Sequence, residues 1–269
     1  GTSTASAKAM GEFPLAQPLA AVWASSLFGV FAVLLLLFSA VGPCKHKAGQ
    51  AAHHLAMVFP FAYLAYEGFR VTLANRGSPP PGAHARIFDA EPGAEVFAPT
   101  MLGMQLFDLV TTCAIPGMRR PDAIAHHLLS LVLAWNLAVS GVMTHWLPFF
   151  FGILEVSSVP LCFVDFLRAF PEVAARLDAF NEAMRLLFAG TFLPVRCLLT
   201  PLYVGRWWVD FLELHAAGDP DIHKDRALFY LFASTSVVLC VLQFYWGFKI
   251  VKAAAKMLKG DKGGREKEY

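Results

Sequence analysis

The feature that most constrains this chain is a series of long apolar segments separated by short polar connections. A helix needs about 20 mainly apolar residues to cross the roughly 30 Å hydrocarbon core of a bilayer. Seven segments meet this requirement, and they lie at about 19–41, 51–74, 98–116, 122–140, 145–167, 180–204 and 227–250. The pattern therefore predicts an all-α membrane protein, folded as a bundle of seven transmembrane helices.

Composition agrees with a membrane protein and excludes several soluble classes. Of the 269 residues, 57% are hydrophobic and 16% are charged, whereas soluble domains carry about 45–50% apolar and about 25% charged residues. A net charge of +2 provides no basic field for nucleic-acid phosphates, so we expect no nucleic-acid partner. The five cysteines include no CxxC pair, and neither a disulfide framework nor a zinc site is expected.

Lysine and arginine are distributed unevenly between the two faces of such a bundle. One face receives the loops at 42–50, 117–121 and 168–179 together with the C-terminal segment, and it carries thirteen of these residues against six on the other face. By the positive-inside rule, we expect the C-terminus on the cytosolic side of an organelle membrane, such as the endoplasmic reticulum. An N-terminal tail at 1–18 and a basic cytosolic tail at 257–269 complete the predicted layout.

Polar and ionisable residues inside the predicted spans are the natural place to look for function. A charged group near mid-bilayer costs at least about 2.5–3.5 kcal/mol, so each one needs a partner or a task. At about 1.5 Å per residue, His126 and His127 lie about one turn from the cytosolic boundary and Glu155 lies close to the midplane. We therefore expect the polar groups to converge on a cavity that opens to the cytosol. The set is Asp108, His126, His127, Glu155, Asp165, Asn181, Arg185 and Arg196.

The sixth predicted span carries its polar residues on one stripe. Arg185 and Arg196 are eleven residues apart, which at 100° per residue is within about 20° of one face, and Asn181 trails by about 40°. We expect this stripe to face the bundle interior, where acids from other spans neutralise it. The alternative is that these groups form structural ion pairs, such as Arg196 with Glu155 or Asp108.

The paired histidines are the best candidates for chemistry. Adjacent helical residues point about 100° apart, so both rings can border one cavity only if their helix forms part of its wall. One histidine would then act, while the other orients it or binds. Neutral imidazole is suited to accepting a proton from an amine or hydroxyl near neutral pH. The predicted catalytic residues are therefore His126, His127 and Asp108, although a purely structural histidine pair remains open. No HxxHH or HxxxH spacing occurs, so we expect neither a metal ion nor a cofactor.

An ordered series of motifs extends from about Met101 to Lys256. It consists of Gly103-Met104-Gln105-Leu106-Phe107-Asp108, Ala125-His126-His127-Leu128-Leu129, Leu154 to Pro160, Asn181 to Arg196, and Leu242 to Val251. This series resembles the TLC-domain family, multi-pass lipid-related proteins that include the ceramide synthases and the translocation-associated membrane proteins. The resemblance implies a six-helix TLC bundle at 51–256 around a lipid-accessible cavity, preceded by one extra N-terminal helix and loop at 19–50.

The resemblance also implies a range of functions. In ceramide synthases a histidine pair, matched here by His126 and His127, is implicated in acyl transfer from acyl-CoA to a sphingoid base. After that pair this chain has only Glu155 and Asp165, and it lacks the closely spaced aspartates of those enzymes. It is therefore more similar to the non-synthase branches, and we expect it to bind or handle an acyl chain or sphingolipid and to influence membrane lipid composition.

Two alternatives to lipid handling stay open. The first is an acyl-CoA-dependent N-acyltransferase that uses the histidine pair, with acyl-CoA as its co-substrate. The second is a structural subunit of an organelle membrane complex. Membrane lipids are the expected partners, and a homodimer or the other subunits of such a complex are the protein partners consistent with these interpretations.

Overall fold

The computed structural model describes residues 16–40 and 42–258, and no β-strand occurs in that part of the chain. Eleven α-helices follow one another there. They are α1 (Ala16–Ala40), α2 (Ala48–Asn75), α3 (Ala83–Phe88), α4 (Phe97–Ala114), α5 (Pro121–Ser140), α6 (Ser158–Ala169), α7 (Pro171–Arg176), α8 (Asp178–Phe192), α9 (Thr200–Ala216), α10 (Pro220–Lys224) and α11 (Arg226–Leu258). Most of the predicted tail at 1–18 and of the predicted tail at 257–269 lies outside the described residues.

Helices of other types connect several of these elements. Short 3-10 segments occupy Lys45–Lys47, Ala94–Val96, Pro116–Met118, Thr144–Trp146 and Ile153–Val156. Two π-helical segments, Pro148–Gly152 and Leu193–Leu199, precede α6 and α9. Both π segments therefore lie inside predicted spans, where a uniform α-helix was expected.

Five helical stretches among the described residues are long and apolar enough to cross a membrane. They are Ala16–Ala40, Ala94–Ala114, Pro121–Ser140, Asp178–Ala216 and Arg226–Ala255. A sixth span forms if Pro148–Val156 and Ser158–Ala169, which meet at 43°, are taken together. The chain is thus a helical membrane bundle in which five or six of the seven predicted spans meet this criterion.

The remaining predicted span, the second in sequence at 51–74, corresponds to α2. Its 28 residues extend about 42 Å at 1.5 Å per residue, which is long enough to cross a bilayer. Polar residues such as His53, Glu67 and Arg70 lower its mean hydropathy, and it is not among the five. Because α2 packs against α1, α4 and α6, its neighbours shield much of it from lipid. A span count of seven therefore depends on this interior helix.

Proline explains where the fifth predicted span bends. Pro160 lies in the first turn of α6 and has no N–H to donate to the carbonyl four residues earlier, at Val156. The regular ladder therefore stops around Ser157, and Glu155 lies in the irregular stretch just before it. The bend places a buried acid beside a break in the backbone.

Glycine lets α2 approach this irregular stretch closely. A Cβ atom on Gly68 would lie 2.6 Å from the backbone nitrogen of Ile153 and 2.7 Å from the carbonyl oxygen of Pro148. Only a residue without a side chain allows that contact. It holds α2, which also carries His53, directly against the segment that carries Glu155.

Candidate functional site

Asp108 is a buried carboxylate of α4 that lies between histidines from two other helices. Its Oδ1 is 3.4 Å from Nε2 of His53 on α2, and its Oδ2 is 3.6 Å from Nδ1 of His127 on α5. Asp108 is only 2% exposed. Three helices therefore converge on one acid, at the end of the bundle where α2 and α5 begin and α4 ends. We call Asp108, His53 and His127 the Asp108 cluster.

The hydrogen bonds of His53 show how its ring is oriented in this cluster. Thr111 Oγ1 donates to the carbonyl oxygen of Phe107 at 2.7 Å and lies 2.9 Å from His53 Nδ1. Since the hydroxyl proton is already engaged, His53 Nδ1 is the donor in that contact. His53 Nε2 then lies 3.4 Å from Asp108 Oδ1, where a protonated imidazole would form an ion pair with the carboxylate.

His127 is held in an orientation that suits proton transfer. Its Nδ1 lies 3.0 Å from Oε1 of Gln105, an oxygen that can only accept, so Nδ1 carries the proton. In the neutral ring the lone pair is then on Nε2. The Gln105 amide thus fixes one ring nitrogen close to the Asp108 carboxylate, and no hydrogen bond to the other nitrogen occurs among the described residues. This is the arrangement of a general base.

His126 points elsewhere, as the 100° step between adjacent residues predicts. Its ring packs edge-on against Trp246 of α11, with ring centroids 5.4 Å apart. Trp246 Nε1 donates in turn to Asp122 at 3.0 Å. His126 Nδ1 is buried and has no hydrogen-bond partner among the described residues. Of the two predicted catalytic histidines, only His127 reaches Asp108.

A second polar cluster joins the two irregular helices. Arg196, in the π segment Leu193–Leu199, donates through Nε to Ser157 Oγ at 2.8 Å and through Nη2 to Ser158 Oγ at 2.9 Å. Its Nη2 also lies 3.4 Å from Glu155 Oε2, and Ser158 Oγ donates to that oxygen at 2.5 Å. Glu155 therefore neutralises Arg196 and does not orient a histidine.

The other predicted site residues lie outside both clusters. Asp165 pairs with Arg168 at 2.8 Å, and Arg185 lies 3.6 Å from Glu182, one turn away on α8. Asn181 is half-buried in the first turn of α8. The expected single stripe assumed 100° per residue throughout, but a π turn advances by a smaller angle, so the regular relation ends before Arg196.

Two pockets in the described part of the chain lie away from the predicted site residues. The larger is an open pocket of about 360 Å³ near the start of α11, lined by Asn136, Lys224, Asp225, Ala227, Leu228 and Leu231. The smaller lies between α1, α4 and α5. Neither includes a predicted site residue, and the lipid-accessible cavity that opens to the cytosol stays a prediction.

Sequence reasoning missed two members of this site as functional residues. His53 has the closer of the two histidine contacts with Asp108, and Gln105 fixes the proton of His127. A signal for His53 was present, because it begins the second predicted span at the same depth as His126 and His127. Depth alone does not show which face of α2 meets α4.

Comparison with known proteins identifies one family. The model of the TLC domain matches residues 84–252, which is more than half of the chain. No curated protein and no solved structure matches the chain significantly. The matched region includes Asp108, His127, Glu155 and Arg196, whereas α1 and α2, with His53, precede it. The chain therefore belongs to the TLC-domain family.

Proposed function

We propose that this protein binds an acyl chain or sphingolipid within its helical bundle, in an organelle membrane, and acts on that lipid through the Asp108 cluster. The observation that carries the proposal is the oriented imidazole of His127 beside a buried acid that a second histidine also contacts. Of the predicted set, Asp108 and His127 are the residues that we assign to this task.

Charge supports a chemical task for Asp108. A buried acid with a structural task is best served by a permanently charged partner, as Glu155 is by Arg196. Both partners of Asp108 are imidazoles, which can be neutral or protonated and so bring no permanent charge to the acid. The protonation of this cluster can therefore change, whereas that of an acid paired with arginine is fixed.

The position of the cluster supports a cytosolic approach for a soluble co-substrate. The Asp108 cluster lies at the end of the bundle that also carries Lys45, Lys47 and Arg119. By the positive-inside rule this end faces the cytosol, as does the C-terminus. An anionic carrier such as acyl-CoA would meet basic residues there.

The second candidate function is acyl-CoA-dependent N-acyl transfer, which the free Nε2 of His127 favours. In this reaction the amine nitrogen of a long-chain base attacks the thioester carbonyl carbon while Nε2 accepts the amine proton. The C–S bond then breaks, and the proton passes to the departing sulfur. The products are an amide and the free thiol of CoA, so atoms and charge balance without a metal ion or a redox partner.

One experiment on the purified full chain tests both functions. Lipids that co-purify are identified by mass spectrometry, and the protein is then incubated with labelled acyl-CoA and a long-chain base. Asp108→Asn is the test variant, and Asp165→Asn is its matched control, since Asp165 pairs with Arg168 away from the cluster. Lipid binding predicts a bound acyl lipid in the wild type, and catalysis predicts turnover that Asp108→Asn removes and Asp165→Asn retains.

Three results decide between the functions. Bound lipid without turnover supports the lipid-handling protein alone. Turnover that both variants retain contradicts the role given to Asp108. Neither lipid nor turnover, with other membrane proteins co-purifying in fixed stoichiometry, contradicts the proposal and favours a structural subunit.

A further inference from the structure

We propose a binding site for a divalent transition-metal ion, Zn²⁺ in the first instance, formed by His84, Asp219 and Asp221. The site lies at the opposite end of the bundle from the Asp108 cluster, outside the five candidate spans. One ligand atom from each of these residues lies within 4.8 Å of the other two. The inference is independent of the proposed function.

Two connections far apart in sequence build this site. His84 lies in the first turn of α3, and its ring packs on Phe88 with centroids 4.7 Å apart. Asp219 and Asp221 flank the start of α10. The His84 Nε2 atom lies 3.3 Å from Asp221 Oδ2 and 4.0 Å from Asp219 Oδ2.

The Asp219 carboxylate is divided between two tasks. Its Oδ1 accepts the backbone N–H groups of Asp221 and Ile222 at 2.9 and 3.3 Å, which caps α10. That leaves Oδ2 directed toward His84. The cap therefore fixes the carboxylate while one oxygen stays available to a ligand.

The single proton on His84 Nε2 cannot serve both carboxylates. His84 Nε2 can donate one proton, and only Asp221 is within hydrogen-bonding distance of it. A second negative charge, on Asp219, stays close by at low exposure, 15% against 48% for His84. A divalent cation neutralises both acids and uses the Nε2 lone pair of a neutral imidazole.

The ligand distances fit a transition-metal ion. Ligand atoms about 2.0–2.2 Å from Zn²⁺ lie roughly 3–3.5 Å from one another, so small rotations of the carboxylates suffice. One imidazole and two carboxylates suit Zn²⁺, and water fills the remaining position. Ca²⁺ prefers an all-oxygen shell of six or more ligands and is not expected to compete.

Contacts around the site hold the helix that carries His84 in place. Arg86, two residues after His84, forms a bidentate ion pair with Asp210 of α9 at 2.8 and 2.5 Å. Because α3 is already tied to α9, binding of the metal requires little ordering of the chain.

The test is a titration with Zn²⁺, monitored by calorimetry. It uses the full chain, purified in detergent and freed of bound metal with EDTA. His84→Ala and Asp221→Asn each remove one ligand. Asp219→Asn removes ligand charge but keeps an N-cap residue, so α10 stays capped. The matched control is His145→Ala, because His145 also lies outside the candidate spans and pairs with one carboxylate, Glu91, at 2.9 Å.

We expect the wild type to bind one equivalent of Zn²⁺. The affinity should fall by about tenfold or more in each ligand variant and should be unchanged in His145→Ala. Zn²⁺ should also raise the melting temperature of the wild type and of His145→Ala, but not that of His84→Ala. Equal affinity and stoichiometry in the wild type and His84→Ala would overturn the site, as would the absence of any titratable Zn²⁺. Asp221→Asn gives the same decision without altering α3.

Discussion

The two buried acids of the interior, Glu155 and Asp108, have opposite surroundings. Glu155 faces the permanent charge of Arg196, and the two serines that follow the acid in sequence complete the hydrogen bonds. The ion-pair partners of Asp108 among the described residues are groups whose protonation can change, His53 and His127. Both acids are less than 9% exposed, so burial does not distinguish them.

The difference separates a structural charge from one that is available for chemistry. A buried acid tied to arginine keeps its charge, because that cation does not deprotonate near neutral pH. A buried acid between imidazoles can exchange protons with them. Four predictions test this contrast and the packing around it, and the expected effects decrease from the first to the last.

The largest effect should distinguish the two adjacent histidines. If N-acyl transfer is the activity, His127→Gln should lower turnover by about 10²–10⁴-fold, because the general base is lost. His126→Gln, whose ring lies against Trp246, should retain activity within about tenfold of the wild type. Initial rates with acyl-CoA measure both, and equal losses would contradict the assignment of the base to His127.

Removal of the arginine should cost stability. Arg196→Met leaves Glu155 as an unpaired buried charge, and we expect a loss of about 3–5 kcal/mol in the free energy of unfolding. Adding Glu155→Gln should recover part of that loss, because no unpaired charge then remains buried. Unfolding in mixed micelles measures both variants. A double variant no more stable than Arg196→Met would contradict the ion-pair explanation.

A methyl group at the contact between α2 and the bent span should have an intermediate effect. Gly68→Ala places a Cβ atom within 2.7 Å of backbone atoms of that span, and we expect a loss of about 1–3 kcal/mol from overpacking. Gly190→Ala is the control, because nothing lies within 4 Å of its added methyl group. Alanine favours the helix by up to about 1 kcal/mol over glycine there. Equal melting temperatures for the two variants would contradict the tight contact.

The smallest effect is expected at Arg185. This residue lies 3.6 Å from Glu182, and 28% of its side chain is exposed. We therefore expect Arg185→Ala to change the free energy of unfolding by about 0–1 kcal/mol. A loss as large as that of Arg196→Met would show that the predicted polar stripe is continuous after all. The same unfolding assay compares the two arginines directly.

The sequence predicts the helical segments well, since bilayer thickness and proline set their ends. The span expected at 122–140 is α5 (Pro121–Ser140), and the one expected at 98–116 is α4 (Phe97–Ala114). The first turn of a helix tolerates proline, because the N–H group that proline lacks would have no partner there. Pro121 therefore marks the start of α5. Length and hydropathy, however, do not decide whether α2 crosses the membrane.

The pairing of residues across the bundle is less predictable, for a physical reason. Lipid-facing and core-facing sides of a membrane helix are both apolar, so the pattern gives the depth of a residue but not its direction. His53 and Asp108 are 55 positions apart and meet only because of how α2 packs on α4. The Arg196 pairing with Glu155 was among the predicted alternatives, because two buried opposite charges at similar depth have few other partners.

The π segment at Leu193–Leu199 has a consequence for comparing this chain with its relatives. A π turn closes its hydrogen bonds over five residues instead of four, as though one residue had been inserted into an α-helix. Deleting a single residue from the segment would restore an ordinary helix and turn Arg196 away from Glu155, while the flanking helices kept their faces. A one-residue gap at this point in an aligned homologue would therefore identify a protein that retains the architecture but lacks the internal ion pair between the arginine and the glutamate.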